Sequence, residues 1–156
     1  MKGAKSFNDK LNDDKGLPRY VTLTEEEAIK RLGGVNMLIA PPIYYSNIMK
    51  TIPYGKLTTS SKIREKLAKL NDADCTCNLT AGIFIALSAN ASEEREEDKI
   101  PYWRTLKSKG QLNDKFPHGV LDVKQKLEAE GHTIIQKGRK NIKYFVENFE
   151  DKLFDL

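Results

Sequence analysis

Apolar residues recur at three- and four-residue intervals along much of the chain, and each such run predicts a helix. Ala28, Ile29 and Leu32 follow Thr24-Glu25-Glu26-Glu27, which reads as a capping box, and Gly33-Gly34 stops the run. Tyr44, Ile48 and Ile52 predict a helix over 43–51, broken by Pro53. Ile63, Leu67 and Leu70 form the apolar face of a helix capped by Thr59. Another helix runs from Leu79 to about Ala91 with Asn78 as its cap, and Val120, Val123 and Leu127 mark a helix ended by Gly131. Ile100 to Lys107 reads as a strand. Thr133-Ile134-Ile135 and Ile142 to Val146 flank Lys137-Gly138-Arg139-Lys140, which predicts a hairpin. Met37 to Ala40 is a short apolar stretch ended by Pro41-Pro42. Residues 1–18 are polar and read as a loose arm, and the segment from Glu147 is acidic and amphipathic through Phe149, Leu153 and Phe154.

The Leu79 helix is unusual. Ile83, Phe84 and Leu87 supply bulk, whereas Ala81, Ile85, Ser88, Ala89 and Ser92 form a second stripe of mostly small residues. A small stripe permits close approach, either to another helix or to a nucleic acid backbone.

Length and composition narrow the class. A chain of 156 residues is one domain by default, with room for a sizeable core. No apolar run nears the roughly 18–20 residues that span a bilayer, and Met1 to Lys15 has no apolar signal-like region, so a cytoplasmic, membrane-free protein is expected. Cys75 and Cys77 are expected as free thiols, because a bridge between residues two apart on a strand would be strained. With His118 and His132 they make a poor zinc set, the usual spacing being Cys-x-x-Cys, so no metal and no cofactor is expected. The net charge of +4 permits nucleic acid binding without requiring it. Its distribution says more: 56–69 and 99–115 each carry +4, and 93–98 carries −4.

Four landmarks then occur in order. Ile52-Pro53-Tyr54-Gly55-Lys56-Leu57-Thr58-Thr59 resembles the Val-Pro-x-Gly opening of the alkylguanine-DNA alkyltransferase C-terminal domain (the methylated-DNA–protein cysteine methyltransferases). A helix-loop-helix follows and ends near Asn90, where that family has an asparagine hinge. Ile100-Pro101-Tyr102-Trp103-Arg104 resembles its Ile-Pro-Cys-His-Arg active-site strand. Ser108-Lys109-Gly110 and Leu127-Glu128-Ala129-Glu130-Gly131-His132 resemble its Ser-x-Gly turn and Leu-x-x-Glu-Gly-His ending. The resemblance covers about residues 38–135. It implies a mainly α domain with a small β-hairpin and a helix-turn-helix of winged-helix-like type, whose second helix enters the minor groove. The expected organisation is an arm and extra helix over 1–36, the DNA-binding domain over 37–146 and an acidic tail over 147–156.

The chain departs from that family where its chemistry resides. The acceptor cysteine is Tyr102, and a phenol with a pKa of about 10 is no substitute at neutral pH. The activating histidine is Trp103, which has no basic nitrogen. The nucleotide-rotating tyrosine aligns with Ser60, and the space-filling arginine aligns near Thr80 or Ala81. Glu130 stands at the family's buried glutamate and, without a histidine to orient, is expected to cap or pair structurally. His132 is expected at the surface. The stretch from Asn90 to Tyr102 is some four residues longer than in the family, and the insertion is acidic.

The expected function is therefore that of the family's non-catalytic branch, the alkyltransferase-like proteins, which recognise alkylated guanine in double-stranded DNA and hand it to a repair protein. Lys56, Lys62, Arg104 and Lys107 would contact phosphates. Ser60, Thr80, Ala81, Gly82, Ile85, Ala89 and Asn90 would face the groove, and Tyr102 and Trp103 would line a base pocket. Two alternatives stay open. One is alkyl acceptance by Cys75 or Cys77, activated by the start of the Leu79 helix. The other is a protein-interaction domain with a sealed pocket that docks through its 147–156 tail.

Overall fold

The computed structural model describes residues 5–156; residues 1–4 of the arm lie outside that range. Among the described residues six helices are joined by three small sheets: α1 (Phe7–Asn12), β1 (Arg19–Thr22), α2 (Glu26–Leu32), β2 (Asn36–Ile39), α3 (Pro42–Met49), β3 (Thr58–Thr59), α4 (Ser60–Leu70), β4 (Cys75–Thr76), α5 (Asn78–Glu94), β5 (Thr105–Leu106), α6 (Val120–Ala129), β6 (Ile134–Lys137) and β7 (Lys143–Val146). Single 3-10 turns occupy Tyr102–Arg104 and Phe149–Lys152. The β6–β7 hairpin expected from the sequence is present. The chain is mixed α/β, however, because β1 pairs antiparallel with β2, β2 parallel with β4, and β3 parallel with β5. Two-residue strands such as β3, β4 and β5 are too short to show an alternating pattern, so the sequence hides them.

The core lies between α3, α4, α5 and α6, with Leu38, Tyr45, Met49, Ile63, Leu67, Phe84, Ile85, Leu106, Val123 and Leu127 buried in one cluster. Thr59 caps α4 as expected, its hydroxyl accepting from Lys62 N–H at 3.1 Å. Leu70, expected on the apolar face of α4, is exposed, and Ala68 is buried instead. Neither expected cap at Thr24 nor at Asn78 forms. Helix α2 begins after Glu25 and α5 after Cys77, both without a side-chain cap bond. Leu23 N–H donates to Val35 O and extends the β1–β2 ladder, which holds Thr24 outside the helix.

The arm expected to be loose contains a helix. Ser6 and Asp9 form the capping box of α1, and α1 packs on α5. The contact is made by the acidic insertion: Glu94 accepts from Phe7 N–H and Asn8 N–H at 3.0 Å each, and Arg95 Nη1 donates to Asn8 Oδ1 at 2.9 Å. The tail also folds into the body. Leu57 N–H donates to Lys152 O, Phe154 N–H donates to Leu57 O, and the Phe149 ring lies where a Cβ on Gly110 would stand. A segment held this way is part of the fold and not a free extension. No helix among the described residues is long and apolar enough to cross a membrane.

Candidate functional site

Three of the four sequence landmarks meet at one carboxylate. The β3–β5 pairing, with Thr58 opposite Thr105 and Thr59 opposite Leu106, sets the Pro53-Tyr54-Gly55 turn beside Tyr102–Arg104, and the end of α6 brings in Glu130. Glu130 accepts from Gly55 N–H (3.1 Å), Trp103 Nε1 (2.7 Å), Arg104 Nε (2.9 Å) and Arg104 Nη2 (2.9 Å). Burial pushes the carboxyl up, but the hydrogen bonds from Arg104, Trp103 and Gly55 outweigh it and hold Glu130 below its ordinary 4.5. The Glu130 side chain is 5% exposed and that of Arg104 12%. Arg104 Nη1 donates to Ile52 O at 2.7 Å, and the guanidinium lies 5.6 Å from the centroids of the Tyr54 and Trp103 rings. Arg104 is thus a largely buried structural cation committed to Glu130 and Ile52 O, not the phosphate contact expected of it. Trp103 spends its only donor on Glu130 and packs against Tyr102.

Tyr102 does not line a base pocket. It is 1% exposed, edge-on to Trp103 and to Phe116 with 5.3 Å between centroids in each case. Its hydroxyl points to the far end of α5 and donates to Glu93 Oε1 at 2.9 Å, and Glu93 Oε2 is 3.1 Å from His118 Nε2. Burial and then the Glu93 contact push the phenol pKa well up, so it stays protonated. A Tyr102→Cys variant should therefore remain inert towards a methylguanine oligonucleotide by intact mass. It should also lose about 3 kcal/mol of stability in urea denaturation, the order of cost for truncating a buried aromatic side chain.

The small stripe of α5 turns inward. Ala81, Ile85, Ser88 and Ala89 are buried, and α3 and α1 pack on α5. Ala81 and Ala89 therefore face the core, where their small size lets helices approach, and Ile85 is packed as core bulk. Thr80 is half-buried with its hydroxyl turned inward and unpartnered. Asn90 is no hinge. It lies inside α5, which continues four residues further, and its amide donates to Ala86 O at 2.9 Å. His132 is buried rather than at the surface, its Nε2 has no partner, and burial lowers its pKa below 6.5.

The opposite face of α5 is open. Leu79 is 71% exposed and Ile83 56%, with Gly82 between them. This face forms one wall of a shallow trough whose other wall is the 106–115 loop and strand β7. Of the expected contacts, Ser60, Gly82 and Lys107 lie in it, and the buried Ile85 reaches its floor. The sequence reading missed Asn78, Leu79, Ile83, Ala86, Asn113 and Lys115 on one part and Arg64, Lys109 and Lys143 on the other. The +4 charge of 99–115 was the available signal for the lysines; nothing local could place Arg64 or Lys143 beside them. Arg64, Lys107, Lys109, Lys115 and Lys143 are the cations of the trough; among the described residues no carboxylate lines it, although Asp114 at its rim pairs with Lys107 Nζ at 3.3 Å. At its end Ser108 Oγ meets Ser60 Oγ (3.2 Å) and Ser61 Oγ, and Arg64 Nη2 donates to Ser61 Oγ at 3.2 Å. Lys62 lies outside, near Glu65 at 3.7 Å, and Lys56 is exposed on the turn before β3. The acidic insertion is remote from the trough: Glu93 stands about 16 Å along α5 from Gly82, and Glu93 and Glu94 are engaged by Tyr102, His118 and α1.

Gly82 has no internal explanation. Among the described glycines it alone lacks both a positive φ and a neighbour within 4 Å of where a Cβ would stand. An unforced glycine inside a helix costs about 0.8–1.0 kcal/mol relative to alanine. Glycine leaves the backbone bare on the exposed face of α5 there.

Cys75 is not placed as a relocated nucleophile. Cys75 is buried on β4 with its thiol towards Gly34 O and Asn36 O, and burial, with Asp74 beside it, raises its pKa instead of lowering it. Cys77 is half-buried at the start of α5.

The architecture is the fold of an alkyltransferase-like protein. It is similar to the crystal structure of S. pombe Atl1 in complex with damaged DNA containing O6-carboxymethylguanine, with a TM-score of 0.53 and 20% identity over 74% of this chain and 94% of that one. A crystal structure of S. pombe ATL in complex with DNA matches with the same scores and coverage. No family model and no curated protein matches the chain by sequence.

Proposed function

We propose that the protein binds double-stranded DNA through the trough, transfers no alkyl group, and reads alkylated guanine there. On this reading α4 and α5 act as a helix-turn-helix pair, with the outer face of α5 in the minor groove and Arg64, Lys107, Lys109, Lys115 and Lys143 on phosphates. The observation that carries it is Gly82: a bare backbone at the centre of an exposed helix face, flanked by five cations of which only Lys107 is paired to an acid, Asp114 at the rim. The damaged DNA held by Atl1 in a similar fold favours the same partner class. The pocket for an extruded base moves from Tyr102 and Trp103 to the part of the trough floored by Leu79, Ile83, Ala86 and Leu106, with Asn113 and Lys115 as polar groups and a volume of about 740 Å³. That is within the range of small-ligand sites. A protein without an acceptor thiol has no chemistry to offer the lesion, so a role in repair needs a second protein that acts on the marked site.

The test is a fluorescence anisotropy titration of duplexes with and without O6-alkylguanine over 50–200 mM salt. Five phosphate contacts give a log–log salt slope of about −4.5, which is a 10²–10³-fold loss of affinity over that range. A slope near zero overturns DNA binding. Equal affinity for both duplexes overturns lesion reading alone.

A further inference from the structure

We infer that the β6–β7 hairpin is a second DNA-contacting element, a wing that carries the protein onto the phosphate backbone beyond the footprint of α5; this rests on the trough reading above. The hairpin is a two-stranded sheet of its own, with residues 136–143 all exposed. From Thr133 to Val146 it holds Lys137, Arg139, Lys140 and Lys143 and no acid, and none of the four forms an ion pair among the described residues. Its base is tied to the body, Leu112 N–H donating to Tyr144 O and Val146 N–H to Gly110 O, but towards the tip like charges directly opposite each other weaken a hairpin. Yet Lys137 and Lys143 are register partners. Lysines can also protect an exposed strand edge from pairing with another chain, but that use needs no lysine opposite. An external anion does explain the pair.

The hairpin is held in place at both ends. At its base, Phe145 and Lys143 line the trough with Gly82, Lys107 and Lys109, and Lys137 Nζ sits 4.8 Å from the centroid of the Phe145 ring. At its tip Gly138 has φ of +101°, and a Cβ there would stand 2.3 Å from Asn141 O, so the turn closes tightly. Lys140 stands three residues beyond Lys143, about 10 Å at the rise of a strand. That is some three base pairs of duplex at about 3.4 Å each. The trough and the tip form one basic track, and a duplex is the anion long enough to follow it.

The test compares wild type with Arg139→Gln/Lys140→Gln, both sites exposed, on labelled duplexes of about 10 and 20 base pairs, with circular dichroism to confirm the fold. On the long duplex the variant's salt slope should be shallower by about 2, one per phosphate contact removed. On the short duplex the two proteins should bind alike. An unchanged slope on the long duplex, with wild-type binding intact, overturns the wing and leaves the trough reading standing. An equal loss on both lengths overturns the extended reach. Failure of the wild type to bind either duplex defeats the trough reading itself, and the wing with it.

Discussion

Replacing Gly82 by glutamate should leave the protein at least as stable as wild type and lower its affinity for duplex DNA about 30-fold or more. The two effects have separate causes. Within the folded chain a Cβ at 82 meets nothing within 4 Å, and Glu is a better helix former than Gly by about 0.5 kcal/mol, so urea denaturation should show an unchanged or slightly later midpoint. On the outside, the new side chain fills the closest point of approach and places a carboxylate among Arg64, Lys107, Lys109 and Lys143. A 30-fold loss corresponds to about 2 kcal/mol. Gly82→Ala separates shape from charge: it gains up to about 1 kcal/mol of stability and adds only a methyl group at the interface. Undiminished binding by Gly82→Glu at 100 mM salt would place the contact surface elsewhere.

The second large effect is at Glu130. Glu130→Ala should cost about 3–5 kcal/mol, the penalty for breaking a buried ion pair from one side. The Arg104 guanidinium would keep only Ile52 O, while Trp103 Nε1 and Gly55 N–H would lose their acceptor. Since single domains are stable by only about 5–15 kcal/mol, the variant should unfold at a much lower urea concentration. Arg104→Met with Glu130→Leu should recover much of the loss, because the penalty lies in the orphaned charge and not in the absent pair. The same double variant checks the placement of Arg104. Its DNA salt slope should equal that of wild type, whereas a phosphate ligand would take about one unit of slope with it.

The hub also sets the response to acid. Glu130 has a folded pKa below 4.5, so its contribution is present above 4.5 and is lost as the pH falls through the lowered folded value. His132 is kept neutral by burial, with a folded pKa below 6.5. The unfolded chain therefore binds its proton first, and stability declines as the pH falls from 6.5 through the lowered folded value. The two groups act in the same direction, and urea midpoints measured between pH 8 and 4 should fall monotonically. A midpoint that rises below pH 6.5 would contradict the burial of His132.

The landmarks that suggested the fold were legible because they are local. Pro53-Tyr54-Gly55 makes a turn, Thr59 caps α4, Gly131 ends α6, and Gly138 closes a hairpin, each by backbone chemistry that a few residues specify. Those residues also build the Glu130 hub, so the resemblance persists although Tyr102 and Trp103 have replaced thiol and imidazole. The orientation of α5 was not legible. Its residues are apolar on nearly every face, so periodicity gives no inside and outside, and the small stripe Ala81, Ile85 and Ala89 suited a groove as well as a core. Packing by α1 and α3 settles the choice, and α1 lies more than sixty residues away in the chain.

By itself, then, the chain determined its helices from α2 to α6, its hairpin, the absence of an acceptor thiol at position 102 and the segmentation of its charge, since each depends on neighbours in sequence. Only the tertiary structure decided that Arg104 is buried, that the acidic insertion clasps α1, and that Gly82, Lys107, Lys115 and Lys143 share one trough. These depend on which faces meet across long separations, where burial and hydrogen bonding compete for the same side chains and no local pattern records the winner.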